Sequence, residues 1–154
     1  MSLEININNA IKEAMKNKDQ QSLTPLRAIK TALLMQKTQK GSDQSISNED
    51  EMKILQKLGK QRRESAEIYR NQGRDDLAEP ELNEAELIQN FLPKALSEKE
   101  IEIEVKQIID QINADGMKDM GKVMGLATKN MLGKADGKII SSIVRKLLSW
   151  ILAQ

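Results

Sequence analysis

The chain has 154 residues, of which 39% are hydrophobic and 31% charged, with a formal net charge of +1. That is enough for one ordinary domain or two small ones, too apolar for a disordered chain and too charged for a membrane protein. It contains no cysteine and no histidine, which excludes disulfides, thiolate or imidazole zinc sites, a cysteine nucleophile and a Ser-His-Asp triad. A Mg²⁺ site or a lysine-based reaction is not excluded by composition, but no cofactor or metal is called for by any motif below.

Aromatics are 2% of the chain, Tyr69, Phe91 and Trp150, and there are three prolines and eight glycines. A core must then be built from Leu, Ile, Met and Ala, mostly good helix formers, and turns are too few for a β-sandwich. The expected fold is all-α.

Taken in order, the period predicts a first helix over 6–18. Thr24 followed by Pro25 reads as an N-cap with proline at the first helical position, opening a helix that carries Leu26, Ile29 and Leu33 and stops near Gly41. Gly41–Ser45 is a loop by composition. Ser47 with Asp50 resembles a capping box for a long helix ending near Gln72, with Gly73 as its C′ residue. Its centre, Lys60–Ser65, offers no apolar side chain, so either the helix crosses solvent there or its arginine stems lie along a neighbour. A helix with Leu82, Ala85, Ile88 and Leu92 inward should run to about Leu92, with Pro80 near its first turn or at a kink, and Pro93 ends it.

Ser97-Glu-Lys-Glu100 is a capping box. It opens a helix with Ile101, Val105, Ile108, Ile109 and Ile112 on one side, closed by Gly116. A short helix over about 120–131 uses Met120, Met124, Ala127 and Met131. Gly133–Gly137 is a turn, and the last helix carries Ile139, Ile140, Ile143, Val144, Leu147, Leu148 and Ile151. The expected organisation is a helical sub-domain over 1–93, a hinge at 93–97 and a three-helix sub-domain over 97–154. Neither a basic leader followed by an apolar run nor a stretch of about 20 apolar residues occurs, so a cytoplasmic protein with no membrane partner is expected.

Charge is distributed unevenly. Residues 1–97 hold 15 basic and 15 acidic side chains, 98–115 two and six, and 116–154 seven and two. Such asymmetry marks either a surface for an anionic partner, nucleic acid first, or a solvated helix face. Gly116–Val123 matches the start of a phosphate loop, G-x-x-x-x-G-K, but Val123 stands where Ser or Thr should hold Mg²⁺ and no strand precedes it. Nucleotide hydrolysis is therefore not expected, whereas backbone N–H groups and lysines near helix starts can still hold a phosphate. The glycines have a structural reading too: Gly116 and Gly133 as caps, and Gly121-x-x-x-Gly125 as a close-packing face. The methionines read as pliable core, and Glu98 to Glu104 as dipole-complementing acids scattered round a helix. Arg62, Arg63, Arg70 and Arg74 on the long helix form either a second basic patch or a salt-bridged surface with Glu64, Glu67, Asp75 and Asp76.

Leu26-Arg27-Ala28-Ile29-Lys30, Lys60 through Tyr69, Gly73-Arg-Asp-Asp-Leu77, Phe91-Leu-Pro93, Asp119 through Met124 and Gly133-Lys-Ala-Asp-Gly-Lys138 together resemble the YqeY-like family over nearly the whole chain. That family is similar to the C-terminal tail of the B chain of the tRNA-dependent amidotransferase, whose catalytic machinery lies in other domains and chains. The resemblance implies a helical N-terminal part, a three-helix C-terminal part and contact with the outer body of a tRNA. It leads to a tRNA- or RNA-binding accessory module without a catalytic site of its own, with Lys118, Lys122, Lys129, Lys134, Lys138 and Arg145 as RNA contacts. An amidotransferase or an aminoacyl-tRNA synthetase is the expected protein partner. Scarce aromatics favour recognition of a folded RNA by backbone and shape over single-strand stacking. Two alternatives stand beside it: glutamine-dependent carbon–nitrogen ligase activity as a component of a complex, and a protein-interaction scaffold using Trp150 and the last helix.

Overall fold

The computed structural model describes residues 2–41 and 45–152, except the side chains of Lys40 and Leu152. The described residues form seven α-helices: α1 Leu3–Lys16, α2 Gln20–Lys40, α3 Asn48–Asn71, α4 Asp75–Gln89, α5 Glu98–Ile112, α6 Met120–Asn130 and α7 Gly137–Leu152. A single turn of 3₁₀ helix, Met117–Asp119, leads into α6. The fold is all-α, and no strand occurs among the described residues. Most of the loop expected over Gly41–Ser45 lies outside them.

Hydroxyl and carboxylate caps start several helices. Ser2, Ser47 and Ser97 each accept a backbone N–H from the third residue on, which satisfies one of the orphan donors of the first turn. At α5 the Ser97 hydroxyl also donates to Glu100 Oε1 at 3.1 Å, joining the two side chains of the expected capping box. The start of α2 corrects the expectation at Thr24-Pro25. Asp19 is the cap, accepting the Ser22 N–H at 3.2 Å and the Ser22 hydroxyl at 2.6 Å. These bonds hold its carboxyl below the usual aspartate range. Thr24 then lies inside the helix, its hydroxyl turned back to the Gln20 carbonyl, and Pro25 is interior. Pro80 is likewise interior to α4, and that helix ends at Gln89 rather than near Leu92 because Asn90–Leu92 continue only as turns.

Helix ends share one device. After α1, α3 and α5 a residue takes a positive φ, Lys18 at 54°, Gly73 at 73° and Asn113 at 53°. The next N–H then reaches back five residues: Asp19 to Ala14, Arg74 to Tyr69 and Ala114 to Ile109. This is the Schellman arrangement. Asn113, not Gly116, therefore closes α5, and Gly116 is extended and caps the 3₁₀ turn instead.

The chain divides into two compact units, Met1–Pro93 and Lys94–Gln154. The first has its core at Leu3, Ile7, Leu23, Leu26, Ile29, Leu33, Leu55 and Ile88, with Ala14 beside them. Just before the apolar gap in α3, Gly59 is buried, and a Cβ there would lie 3.8 Å from Ile88 Cγ2 of α4, an ordinary contact, and 3.2 Å from the flexible tip of Arg63. Within the gap Arg62 lies half-buried along its own helix, donating to the Leu58 carbonyl at 3.3 Å. Arg74 falls beyond α3 and forms a fork with Asp76, both bonds at 3.0 Å.

The second unit packs α5, α6 and α7 around Ile101, Val105, Ile108, Ile109, Val123, Ala127, Met131, Ile140, Val144, Leu147 and Leu148. Ile143, Met120 and Met124 are partly buried against this cluster. Gly121 and Gly125 do not form a close-packing face, because a Cβ at either would meet nothing within 4 Å. No helix among the described residues is long and apolar enough to cross a membrane.

A cationic and hydroxyl face on α7

Burial of Ile140, Val144, Leu147 and Leu148 fixes the rotation of α7. At 3.6 residues per turn the opposite side presents Lys138, Ser141, Ser142, Arg145, Lys146 and Ser149. These six and Gly137 line one shallow open hollow. Lys138 and Arg145 are two turns apart, about 10 Å along the axis, with serine hydroxyls between them. α7 contains no carboxylate. Among the described residues none of Lys138, Arg145 and Lys146 is in an ion pair.

The structure brings together two of the six residues expected to meet RNA, Lys138 and Arg145, and adds Lys146 from the same helix. Lys122 lies in the first turn of α6, Lys129 at its end and Lys134 in the following turn, all exposed and none lining the hollow. Lys118 pairs with Asp115 at 3.2 Å. Both side chains are well exposed, so the pair is screened and contributes little.

The helix starts are less open to an anion than spacing alone suggests. Asp136 stands before α7, accepting the Ile140 N–H on its carbonyl and the Lys138 N–H on its carboxylate at 3.1 Å. Asp119 stands before α6, and its carboxylate accepts the Asp115 N–H at 3.0 Å. That bond is the largest of the effects that hold the Asp119 carboxyl below the usual range, and the charges of Lys118 and Lys122 add to it. At α7 the Asp136 carboxylate thus already takes a first-turn N–H, and at α6 the negative charge of Asp119 stands beside the helix start without capping it; both disfavour a phosphate there. The outward face of α7 carries no such competitor. Lys146 and the three serines could have been found from the sequence by their helical spacing opposite the apolar stripe.

Val123, which breaks the phosphate-loop pattern, is fully buried in the core of this unit. Among the described residues no group of three or more carboxylates is placed to hold a metal ion.

Comparison with known proteins gives the family that the motifs resemble. A family model described as Yqey-like protein matches residues 4–148. The E chain of the glutamyl-tRNA(Gln) amidotransferase of Thermococcus gammatolerans is 37% identical over 71 residues, 44% of this chain and 11% of that protein. Altered inheritance of mitochondria protein 41, mitochondrial, of Pyrenophora tritici-repentis is 26% identical over 141 residues, 90% of this chain and 76% of that protein. Its counterpart in Meyerozyma guilliermondii is 31% identical over 122 residues, 75% of this chain and 61% of that protein. The chain thus spans a small fraction of the amidotransferase protein and the larger part of the fungal proteins.

Proposed function

The chain belongs to the Yqey-like protein family, and from that membership we propose that it is an accessory tRNA-binding module, working beside a tRNA-dependent amidotransferase or an aminoacyl-tRNA synthetase. The observation that carries the reading is the outward face of α7, where Lys138, Arg145 and Lys146 stand among serine hydroxyls with no carboxylate on the helix. Exposed cations along one face suit the phosphates of a strand, and hydroxyls suit phosphate oxygens and ribose. The relation to an amidotransferase protein supplies the RNA class and the kind of partner. The chemistry belongs to that partner; this chain contributes position.

Filter binding of unfractionated tRNA over a range of salt concentrations tests it. The Lys138→Ala, Arg145→Ala, Lys146→Ala triple variant should bind more weakly, and its salt slope should fall by roughly 0.7–0.9 for each phosphate no longer neutralised. The weakening should be similar across isoacceptors, because phosphates carry no sequence. A matched Lys118→Ala, Lys122→Ala, Lys134→Ala variant should be weakened less. A parent protein that ignores tRNA at low salt, or an unchanged slope in the α7 triple variant, refutes the reading.

A further inference from the structure

We infer that Trp150 is a stacking platform for an unpaired base of the bound RNA, so that the α7 face reads a nucleotide outside the duplex as well as phosphates. The inference rests on the proposed binding of tRNA. Trp150 is the sole aromatic of the Lys94–Gln154 unit, and it is 65% exposed while smaller apolar residues of the same helix are buried. A unit short of large apolar side chains has left its largest one in water, which packing does not explain. Its position does. Trp150 follows Lys146, which lines the hollow, by four residues and about 40° round the helix, so it stands one turn beyond the hollow on the side of that lysine. Cations for phosphate, hydroxyls for ribose and a free π face for a base are the three groups that a single-stranded nucleotide engages. On α7 the described residues nearest Trp150 that reach the surface are the exposed Lys146 and Ser149 and the half-buried Ile143 and Ile151, and the Ser149 hydroxyl meets Met117 Sδ at 3.8 Å. RNA is favoured over a protein as occupant by the cations of the neighbouring hollow.

Trp150 is the only tryptophan of the chain, so its emission reports on this site alone. Two probes are titrated, unfractionated tRNA and a blunt RNA duplex with no unpaired base, with filter binding run in parallel. Stacking predicts that tRNA quenches the emission with the midpoint found on filters, and that the duplex is retained without comparable quenching. Trp150→Leu should weaken tRNA binding about tenfold, leave duplex binding unchanged and keep the salt slope, since every phosphate-binding cation is still present. Circular dichroism should show the variant folded, as the side chain is mostly exposed. tRNA retained with unchanged emission, equal quenching by the duplex, or full tRNA affinity in Trp150→Leu would each overturn the stacking while leaving tRNA binding in place. Trp150→Leu that keeps tRNA but releases an amidotransferase protein would assign the indole to a protein interface and overturn it too. Failure of tRNA to bind the parent protein overturns both.

Discussion

Ile108→Ala is the sharpest probe of how the two units are held. Ile108 is 2% exposed, inside the cluster formed by α5, α6 and α7. Truncation removes three buried carbons and leaves a cavity walled by neighbours that relax only in part, a loss of about 2–5 kcal/mol. A unit of about 60 residues has a stability on the order of 3–9 kcal/mol, so the variant should give up roughly a fifth of it or more. The core of the other unit is a separate cluster around Leu3, Ile7, Ile29, Leu55 and Ile88, and none of its side chains is altered. Urea unfolding followed by helical circular dichroism should therefore show an early transition that carries the signal of α5 to α7, with the later transition unmoved. Ile108→Val should shift the same transition by about 0.5–1.5 kcal/mol. A single transition displaced as a whole would refute the independence of the two cores, and a loss under about 1 kcal/mol would refute the place of Ile108 in one of them.

Val123→Thr restores the next position of the phosphate-loop pattern, yet it buries a hydroxyl in the core. It should cost about 1–3 kcal/mol and confer no ATP hydrolysis, read by melting and by phosphate release; turnover abolished by Lys122→Ala would contradict this. Ser97→Ala removes the α5 cap and should lower the stability of that unit by about 0.5–2 kcal/mol, measured by the same urea titration. Glu84 is partly buried, and desolvation first, then the charge of Glu81, raises its carboxyl above the usual value, with Arg62 opposing. A raised folded pKa means that the ionised form is disfavoured in the fold, so stability falls as pH rises through the ordinary glutamate range to that pKa. Glu84→Gln should accordingly raise the melting temperature at neutral pH and leave it unchanged below the ordinary glutamate range, where the side chain is neutral folded and unfolded alike.

What the sequence disclosed followed from signals that only one structure satisfies. Ser47 and Ser97 cap as their spacing requires, because a hydroxyl three residues before a free N–H has one local use. The periods of α5 and α7 place Ile108, Leu147 and Leu148 inside for the same reason. Ends were legible only where glycine marked them. Gly73 announced its left-handed turn, whereas Lys18 and Asn113 make the same turn with side chains that do not demand it. Thr24-Pro25 misdirected the start of α2 because a better cap, Asp19 with Ser22, lies one turn earlier, and the extra helix length outweighs the bond that Pro25 cannot make. Gly59 is buried beside Ile88, 29 positions away, a packing partner that no motif around it signals.

The α7 face shows why residue type and spacing reveal the chemistry of a site before its place. Seven cations against two carboxylates between 116 and 154 point to an anion, and glycines before Lys122 and Lys138 draw attention to helix starts. Asp136 takes the Lys138 N–H at one of those starts, and Asp119 sets a carboxylate, bonded to the Asp115 N–H, beside the other. The same charge excess is then best presented where no carboxylate competes, on the side of α7 that burial of Ile140, Val144 and Leu148 turns outward. A polyanion laid along that side meets cations two turns apart with hydroxyls between, and passes Trp150 as it leaves. Its affinity should therefore fall steeply with salt, through Lys138, Arg145 and Lys146, while its preference for unpaired over duplex RNA resides in a side chain that salt does not screen.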